Sequence, residues 1–456
     1  MNDINAISNI ESWLNNFLDF EKLPKKNIFW LDTMEFLCKR FHYPQDNYHS
    51  IHIAGSKGKG SVSTMIASIL NEANLSCGLY TSPHILSFAE RITQCGKFFS
   101  NEIYEIAGKE LMNSINALIP EQLPGNRQIT WFELVTLYAF LVFKYAKINW
   151  AVFETGLGGK LDATNVLSPD VCVLTPIELE HTQFLGDTLE KISTEKAGII
   201  KYKTPVFSAN QDPIVSEIFN KTAKHKQTNV IFLDDILKKS TLKYNTQGME
   251  IELDFYSFFS RPIKTTLKLY GKFQVENAAL AALVIKNIFP HICESTIEKG
   301  LQNAFLPARF EIIEKNEKNN LPKMILDGAH TVNSINFTLE TIHEMNIKNI
   351  DLLFACAADK NVSKIASLFF NDKVEFSNFT FTNPGYVRPG DFSNLKKYFN
   401  KEIDKSKKSF QKFVFEEDCK TAINFATKES LKNNSTLLVI GSFYLISEVK
   451  KYFYDI

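Results

Sequence analysis

The stretch HIAGSKGKGS, residues 52–61, has the composition of a loop that binds phosphate. Its glycines and lysines follow a short apolar segment, and apolar residues recur at helical spacing over residues 62–73. A strand, a glycine-rich turn and a helix N-terminus present backbone N–H groups and the positive end of the helix dipole to an anion, and Lys59 adds charge. The loop departs from Walker A, because Ile53 stands where that pattern has glycine and Gly60 where it has Ser or Thr. The order of the elements therefore predicts the phosphate site, although the pattern itself fails.

A second group of glycines lies in ETGLGGKLDATN, residues 154–165. Glu154 ends the apolar segment NWAVFE, and open α/β sheets bind ligands at the carboxyl ends of their strands. A carboxylate there suits Mg²⁺, which prefers oxygen ligands. Ser61, at the start of the helix that follows the phosphate loop, is the candidate hydroxyl ligand by analogy with other phosphate-binding loops. Taken alone, Glu154 is more often a cap or surface charge, His181 a structural histidine and Lys196 a solvated lysine.

The composition limits the functions open to the chain. Its 456 residues favour two domains, and 51 basic residues balance 51 acidic ones, so no overall positive field attracts a nucleic acid. Seven widely spaced cysteines without a CxxC pair indicate a reducing cytoplasm. The start of the chain lacks a basic leader with an apolar core, and the apolar segment TLYAFLVF is too short for a membrane span. We expect a cytoplasmic protein with neither nucleic-acid nor membrane partners.

Segments rich in Val, Ile and Leu alternate with segments of helical periodicity, which favours a parallel sheet with crossover helices. Residues 131–143 predict a fully buried helix, residues 273–288 an alanine-rich helix, and residues 239–270 a small antiparallel insertion. We predict an α/β fold of two domains. Residues 1–304 would form a P-loop ATPase-like domain with a mainly parallel sheet plus that insertion, and residues 305–456 a smaller Rossmann-like α/β domain.

The chain resembles the folylpolyglutamate synthases and the related bifunctional dihydrofolate synthases of the Mur ligase superfamily. In that family GxxGKGS is the normal spacing of the loop. Nine further motifs follow in the family's order: YTSPHILSFAERI (80–92), ITWFE (129–133), ETGLGGKLDATN (154–165), EHTQFLG (180–186), EKAGIIK (195–201), ENAALAA (276–282), PARFE (307–311), LDGAH (326–330) and VIGSFYLISEV (439–449). The resemblance implies a ligase that uses ATP to join L-glutamate to a reduced folate, or to dihydropteroate, through an acyl phosphate.

The resemblance also implies two Mg²⁺ sites. Their ligands would include Ser82, Glu154 and His181, which leaves Ser61 as a phosphate contact. Lys196 would carry a carbamate derived from CO₂ that supports the second metal. Because members of the family are usually monomers, the resemblance implies a monomer. Its small-molecule partners would be ATP, L-glutamate and the reduced folate or dihydropteroate.

Three further sets of residues follow from the resemblance. Asn277 would bind adenine, Arg309 the ribose or phosphates, and Asp327 with His330 would line a cleft that closes over the nucleotide to exclude water. The ATP-binding set is Ser56, Gly58, Lys59, Gly60, Ser61, Asn277, Arg309 and Asp327. The catalytic set is Lys59, Lys196 and His330. The folate-binding set is Trp131, Phe132, Leu161, Asp162 and Ala163, in which the first two offer flat faces to a pterin ring.

The sequence departs from the family at several positions: Lys57 replaces Asn, Lys160 replaces Arg, Glu180 replaces Asp, Ala308 replaces Gly, Thr331 replaces Asn and Asn361 replaces Asp. Three of these changes, at Lys57, Thr331 and Asn361, alter charge or hydrogen bonding and put efficiency or substrate choice in question. Two alternatives stay open: another Mur-type ligase, and a silent paralogue that binds nucleotide without catalysis. A P-loop motor conflicts with the zero net charge. Acceptance of dihydropteroate, the preferred folate and the number of glutamates added stay open.

Overall fold

The computed structural model of the chain describes residues 5–19, 30–245, 247–371, 373–385, 390–406 and 412–454. The chain divides into two compact units. The larger comprises Met1–Leu242, Glu250–Leu267 and Phe273–Phe305, and the smaller comprises Lys243–Met249, Lys268–Lys272 and Leu306–Ile456. Among the described residues, no helix combines the length and apolar character needed to cross a membrane.

The larger unit is built on a seven-stranded sheet. Its strands are β1 (His49–Ala54), β2 (Cys77–Tyr80), β3 (Ile92–Gln94), β4 (Trp150–Glu154), β5 (Val171–Leu174), β6 (Val206–Ser208) and β7 (Val230–Phe232). They lie in the order β3-β2-β4-β1-β5-β6-β7, and only β3 is antiparallel to its neighbour. Chain order and sheet order diverge around β1, so its carboxyl end lies where open α/β sheets bind their ligands.

Helices of the larger unit connect and cover these strands. They are α1 (Asn5–Leu14), α2 (Leu31–Arg40), α3 (Lys59–Glu72), α4 (Asn101–Asn116), α5 (Trp131–Tyr145), α6 (Thr182–Leu185), α7 (Leu189–Lys196), α8 (Pro213–His225), α9 (Leu233–Ile236), α10 (Phe273–Ile288) and α11 (Glu294–Asn303). The predicted buried helix is confirmed as α5, because every residue from Trp131 to Phe143 except Phe132 is buried. Thr130 caps it, and its hydroxyl accepts a hydrogen bond from the amide of Glu133.

The predicted antiparallel insertion is a three-stranded sheet. It consists of β8 (Leu237–Tyr244), β9 (Met249–Phe255) and β10 (Ile263–Leu267) in the order β10-β9-β8. Apolar residues alternate along β9, so one face of this sheet is buried and the other carries charges such as Glu250 and Glu252.

The smaller unit has a six-stranded sheet of its own. Its strands are β11 (Glu311–Ile313), β12 (Met324–Asp327), β13 (Ile350–Phe354), β14 (Phe376–Phe381), β15 (Lys412–Phe415) and β16 (Thr436–Ile440), in the order β11-β12-β16-β13-β14-β15. Its helices are α12 (Val332–Glu344), α13 (Val362–Phe369), α14 (Phe392–Lys405), α15 (Cys419–Asn433) and α16 (Phe443–Tyr454). Only β11 is antiparallel, so the predicted α/β fold class is confirmed for both units.

Candidate functional site

The glycine-rich loop joins β1 to α3, as the sequence predicts. Gly55 has φ 153°, and a Cβ there would lie 1.8 Å from the hydroxyl oxygen of Thr175, so only glycine fits. The amides of Ser56 and Lys57 donate to the carbonyl of Pro176, and the Ser56 hydroxyl donates to the carbonyl of Glu178 at 3.0 Å. The first half of the loop is therefore fixed by the segment that follows β5.

The second half of the loop leads directly into α3. Gly58, at φ 83°, is the N-cap residue, and because it has no side chain the helix begins without a side-chain cap. Because the first amides of a helix have no intrahelical acceptor, those of Lys59, Gly60 and Ser61 form an N-terminal turn suited to an anion. The Lys59 ammonium donates to the carbonyl of Gly55 at 2.9 Å, which keeps it at the same turn.

Glu154 lies beside this loop because β4 pairs with β1. Its register partner is Ile53, two residues before the loop begins. The side chain is 6% exposed, and its Oε2 accepts a hydrogen bond of 3.1 Å from the amide of Ser82. Two of the predicted metal ligands, Glu154 and Ser82, are therefore brought together at the carboxyl edge of the sheet.

Lys196 lies at the end of α7 and is 1% exposed. Its ammonium donates to the carbonyl of Gly55 at 2.7 Å and to Glu180 at 2.9 Å. Burial and the nearby Lys59 lower the pKa of Lys196 to about 8. Burial acts to raise the pKa of Glu180, but Lys59 and Lys196 outweigh it and hold that pKa below its usual value. The third predicted ligand, His181, follows Glu180 directly and is exposed.

Asn277 of α10 also lies against the phosphate loop. A Cβ on Gly58 would lie 2.5 Å from the Oδ1 of Asn277, so the amide packs directly on the turn. Asn277 donates to Gln274 at 2.9 Å, and Gln274 donates to the Ser61 hydroxyl at 3.2 Å. Gln274 was not predicted from the sequence, although it lies one helical turn before Asn277 and therefore on the same face of α10.

The segment 156–163 forms a compact loop around Asp162. The Oδ2 of Asp162 accepts from the amides of Gly156 and Leu157, both at 2.9 Å, and its Oδ1 accepts from Thr164. Among the predicted folate-binding residues, Asp162 and Ala163 are buried, whereas Leu161 is 40% exposed. Among these predicted residues of the loop, Leu161 is therefore the one with side-chain surface available to a ligand.

The two aromatic candidates differ in their surroundings. Trp131 is 5% exposed, packs edge-on against Phe88 at 6.0 Å, and carries the buried guanidinium of Arg91 over its ring at 4.8 Å. Phe132 is partly buried and lies against Gly156, where a Cβ would approach its ring to 2.4 Å. Folate contacts of either residue stay predictions, and Phe132 has the more favourable position beside the loop.

In the smaller unit, Asp327 ends β12 and is partly buried. Its Oδ2 accepts from the Thr338 hydroxyl at 2.7 Å and its Oδ1 from the Ala329 amide at 3.0 Å. Burial raises the pKa of Asp327, while Thr338 and the guanidinium of Arg309 oppose that rise.

Phe443 connects the other two predicted residues of the smaller unit. Its ring lies 4.7 Å from the Arg309 guanidinium and 5.9 Å from the imidazole of His330. The Nδ1 of His330 lies 2.8 Å from the carbonyl of Gly328, a distance that favours the tautomer with a proton on Nδ1. Arg309, Asp327 and His330 thus lie around one edge of the six-stranded sheet.

The donor set at Glu154 determines which metal could be held. No group of three or more His, Cys, Asp or Glu side chains suited to a metal ion occurs in the described part of the chain. One buried carboxylate with a neighbouring serine fits Mg²⁺, which usually takes one or two carboxylates and completes its shell with water and substrate phosphates. Zinc, which needs three or four side-chain ligands, does not fit.

Two family models match this chain. The Mur ligase middle domain matches residues 53–285, and the dihydrofolate synthetase C-terminal domain matches residues 309–452. The first match spans the phosphate loop, Glu154, Lys196 and Asn277, and the second contains Asp327 and His330. The chain is therefore a member of the Mur ligase superfamily.

Similar proteins narrow the assignment. A dihydrofolate synthase/folylpolyglutamate synthase from Bacillus subtilis is 29% identical over 98% of this chain and 99% of its own. A probable dihydrofolate synthetase from Schizosaccharomyces pombe is 30% identical over 92% of this chain and 97% of its own. The solved structure of a folylpolyglutamate synthase from Mycobacterium tuberculosis, in complex with ADP and AMPPCP, superposes with a TM-score of 0.83. It is 25% identical and covers 99% of this chain and 98% of its own. The protein belongs to the dihydrofolate synthase/folylpolyglutamate synthase family, which confirms the resemblance seen in the sequence.

Proposed function

We propose that the protein is an ATP-dependent ligase that joins the amine of L-glutamate to a carboxylate of a reduced folate. The observation that supports this most strongly is the N-terminus of α3, which lacks a side-chain cap and follows β1, the strand that pairs with the strand ending at Glu154. The family assignment supplies the substrate class, because the relatives at comparable length are named for folates.

The reaction needs a carboxylate to become an electrophile. One carboxylate oxygen of the folate attacks the γ-phosphorus of ATP, and ADP leaves with the electrons of the broken P–O bond. The glutamate amine then attacks the acyl carbon, and orthophosphate leaves while the amine loses a proton. Both transition states increase negative charge at phosphoryl oxygens, where the α3 amides and the ammonium of Lys59 stabilise it. Lys59 would exchange its bond to the Gly55 carbonyl for one to a phosphate oxygen.

We assign one Mg²⁺ site to Glu154, with Ser82 and His181 as further ligands, and a second site to the surroundings of Lys196. When bound, the ions supply positive charge to the phosphate oxygens. Glu154 and Ser82 already share a hydrogen bond, so the first site has its carboxylate oriented before the ion arrives.

We further propose that Lys196 carries a carbamate. CO₂ reacts with the neutral amine, and a group of pKa about 8 is neutral in about a tenth of molecules at pH 7, against about 0.03% for an ordinary lysine. The product would be an anion beside Glu180, and two neighbouring carboxylates of this kind suit a divalent cation. ¹³C NMR of protein equilibrated with ¹³C-bicarbonate should show a carbamate resonance that is missing from a Lys196→Met variant.

We assign nucleotide contacts in the smaller unit to Arg309 and Asp327, and a role near the reacting groups to His330. Phe443 packs on the guanidinium of Arg309 and on the ring of His330, so both side chains have defined positions. A planar guanidinium can donate two hydrogen bonds to a phosphate at once. We also propose that the protein works as a cytoplasmic monomer.

Incubation with Mg-ATP, labelled L-glutamate and either tetrahydrofolate or dihydropteroate tests the function and its substrate range together. Mass analysis should show a folate product one glutamate heavier, with one ADP released for each bond formed. With ¹⁸O in the folate carboxylate, one label should pass into orthophosphate. Orthophosphate without label would contradict the acyl phosphate, and nucleotide binding without product would favour the silent paralogue.

A further inference from the structure

A buried series of hydrogen-bonded side chains connects β1 to the loop at residues 156–163, here called the folate-side loop because it contains predicted folate-binding residues. The Nε2 of His52, in the middle of β1, lies 2.7 Å from the Thr164 hydroxyl. That hydroxyl donates to the Oδ1 of Asp162 at 2.5 Å, and the amide of Thr164 donates to the same oxygen at 3.0 Å. The Oδ2 of Asp162 accepts from Gly156 and Leu157. His52 and Thr164 are fully buried and Asp162 nearly so.

The number of donors and acceptors on each group determines which group donates in each of these hydrogen bonds. Asp162 receives four hydrogen bonds, which matches the accepting capacity of an ionised carboxylate. Because the Thr164 hydroxyl donates its only hydrogen to Asp162, it can only accept from His52, so the Nε2 of His52 must donate to Thr164. Burial and Lys201 lower the pKa of His52 to about 3, so the ring is neutral and its Nδ1 is an unprotonated acceptor. The Nδ1 has no partner among the described residues. Burying a lone pair without a hydrogen bond costs less free energy than burying an N–H without one.

The loop that Asp162 organises also rests on the end of α7. The amide of Lys160 donates to the carbonyl of Glu195 at 2.8 Å, and that of Leu161 to the Glu195 carboxylate at 3.2 Å. A Cβ on Gly159 would lie 2.9 Å from the Cα of Lys196, so the backbones touch. The loop thus stands between the Asp162 carboxylate and the helix that carries Lys196.

The same strand serves the nucleotide side. Three residues after His52, Gly55 begins the phosphate loop and accepts hydrogen bonds from Lys59 and Lys196. We propose that His52 and Thr164 are positioning residues, which fix the folate-side loop 156–163 relative to the phosphate loop through Asp162. This inference rests on the proposed function, because it assigns that loop to the folate substrate.

Thr164→Val is the sharpest test, because it removes one hydroxyl with little change of shape. It leaves Asp162 with one donor fewer and the His52 N–H without an acceptor. We expect the KM for tetrahydrofolate to rise about tenfold, the cost of losing buried hydrogen bonds, while the KM for ATP changes less than twofold. Thr164→Ser keeps the hydroxyl and should restore the folate KM.

Thr204→Val is the matched control. Thr204 is a buried threonine of the same unit, whose hydroxyl lies 3.5 Å from the carbonyls of Pro169 and Tyr202. Its variant should keep both KM values. The double variant His52→Phe/Thr164→Val replaces both polar partners by apolar groups. It should melt at a higher temperature than Thr164→Val yet retain the raised folate KM, which separates positioning from stability.

The outcomes distinguish the two proposals. Wild-type protein that forms ADP and product, together with a Thr164→Val variant of unchanged folate KM, overturns the positioning role and leaves the function intact. Equal rises in the folate and ATP KM values would also overturn it, since they indicate general damage. Wild-type protein without any ligase activity overturns the proposed function and this inference with it.

Discussion

The two units each place a glycine-containing turn between a parallel strand and a helix, but they finish the helix N-terminus differently. In the larger unit the N-cap residue of α3 is Gly58, so the helix begins without a side-chain cap. In the smaller unit α12 is capped by Thr331, whose hydroxyl accepts from the amide of Ser334. The Ser334 hydroxyl in turn accepts from the amides of His330 and Thr331 at 3.2 and 3.0 Å.

The difference shows which groups each unit offers to a ligand. At α3 the backbone itself is available, so the turn suits the phosphates of a nucleotide. At α12 the protein satisfies its own amides, and the turn instead presents the side chains of Asp327 and His330. An uncapped helix start next to glycines therefore indicates an anion site better than a match to Walker A does.

The largest expected effect is at Lys59. Lys59→Ala should reduce kcat/KM for ATP by about 10²–10³-fold, because it removes a fixed cation from the developing phosphoryl charge. Steady-state release of ADP measures this. Lys57→Ala, in a part of the loop whose amide faces Pro176, should change the same constant by less than about fivefold. Similar losses in the two variants would contradict the assignment of Lys59 to the transferred phosphate.

Glu154→Gln tests whether the edge beside the α3 turn holds a cation. The amide keeps an acceptor for Ser82 but lacks charge, so the Mg²⁺ concentration for half-maximal activity should rise about 10–100-fold. Asp351→Asn is the control, because it alters a buried carboxylate of the smaller unit that accepts from Ser430 and Ser435. That variant should be less stable and keep the Mg²⁺ requirement. An unchanged Mg²⁺ requirement in Glu154→Gln would remove Glu154 from the metal site.

Gly58→Ala tests the uncapped turn itself. Its Cβ would meet Asn277 at 2.5 Å, so the KM for ATP should rise about tenfold as the turn or Asn277 shifts. Gly96→Ala provides a matched control. The φ of Gly96 is 82°, against 83° for Gly58, and a Cβ on Gly96 would have no atom within 4 Å. Both variants lose about 1–2 kcal/mol of folding stability through left-handed strain. Equal ATP KM values for the two variants would show that strain alone matters.

The smallest effect on activity should be at the capped helix. Thr331→Ala removes the α12 cap and should lower the free energy of unfolding by about 1 kcal/mol, measured by urea denaturation. Its kcat/KM for ATP should change less than twofold. Thr331→Asn, which introduces the residue usual in the family, is an equally good cap and should keep the stability. A large loss of activity in Thr331→Ala, with stability intact, would mean that this turn also binds a ligand.

Much of the fold could be predicted from the sequence because hydrophobic periodicity is strong. The segment 273–288 is α10, and the insertion predicted over 239–270 spans β8 to β10. The short antiparallel strands β3 and β11 were not predicted. Each has three residues and obtains its conformation from its neighbour in the sheet, so its own sequence carries little signal.

The site was predictable where it depends on local order and less so where it depends on tertiary contacts. The phosphate loop and Glu154 follow from strand ends and glycines. The bond of Gln274 to Ser61 and that of His52 to Thr164 join residues more than a hundred positions apart, which no local pattern reveals. Burial of Trp131 under Arg91 likewise required the packed core.

Finally, one carbonyl oxygen, that of Gly55, accepts from the ammonium groups of both Lys59 and Lys196. Two cations on one acceptor weaken its C=O bond, so the vibration of this carbonyl should absorb at lower frequency than that of an ordinary peptide group. Departure of Lys59 toward a triphosphate would shift the band upward. An isotope-labelled Gly55 would therefore act as an infrared reporter of nucleotide occupancy, built into the backbone and requiring no probe.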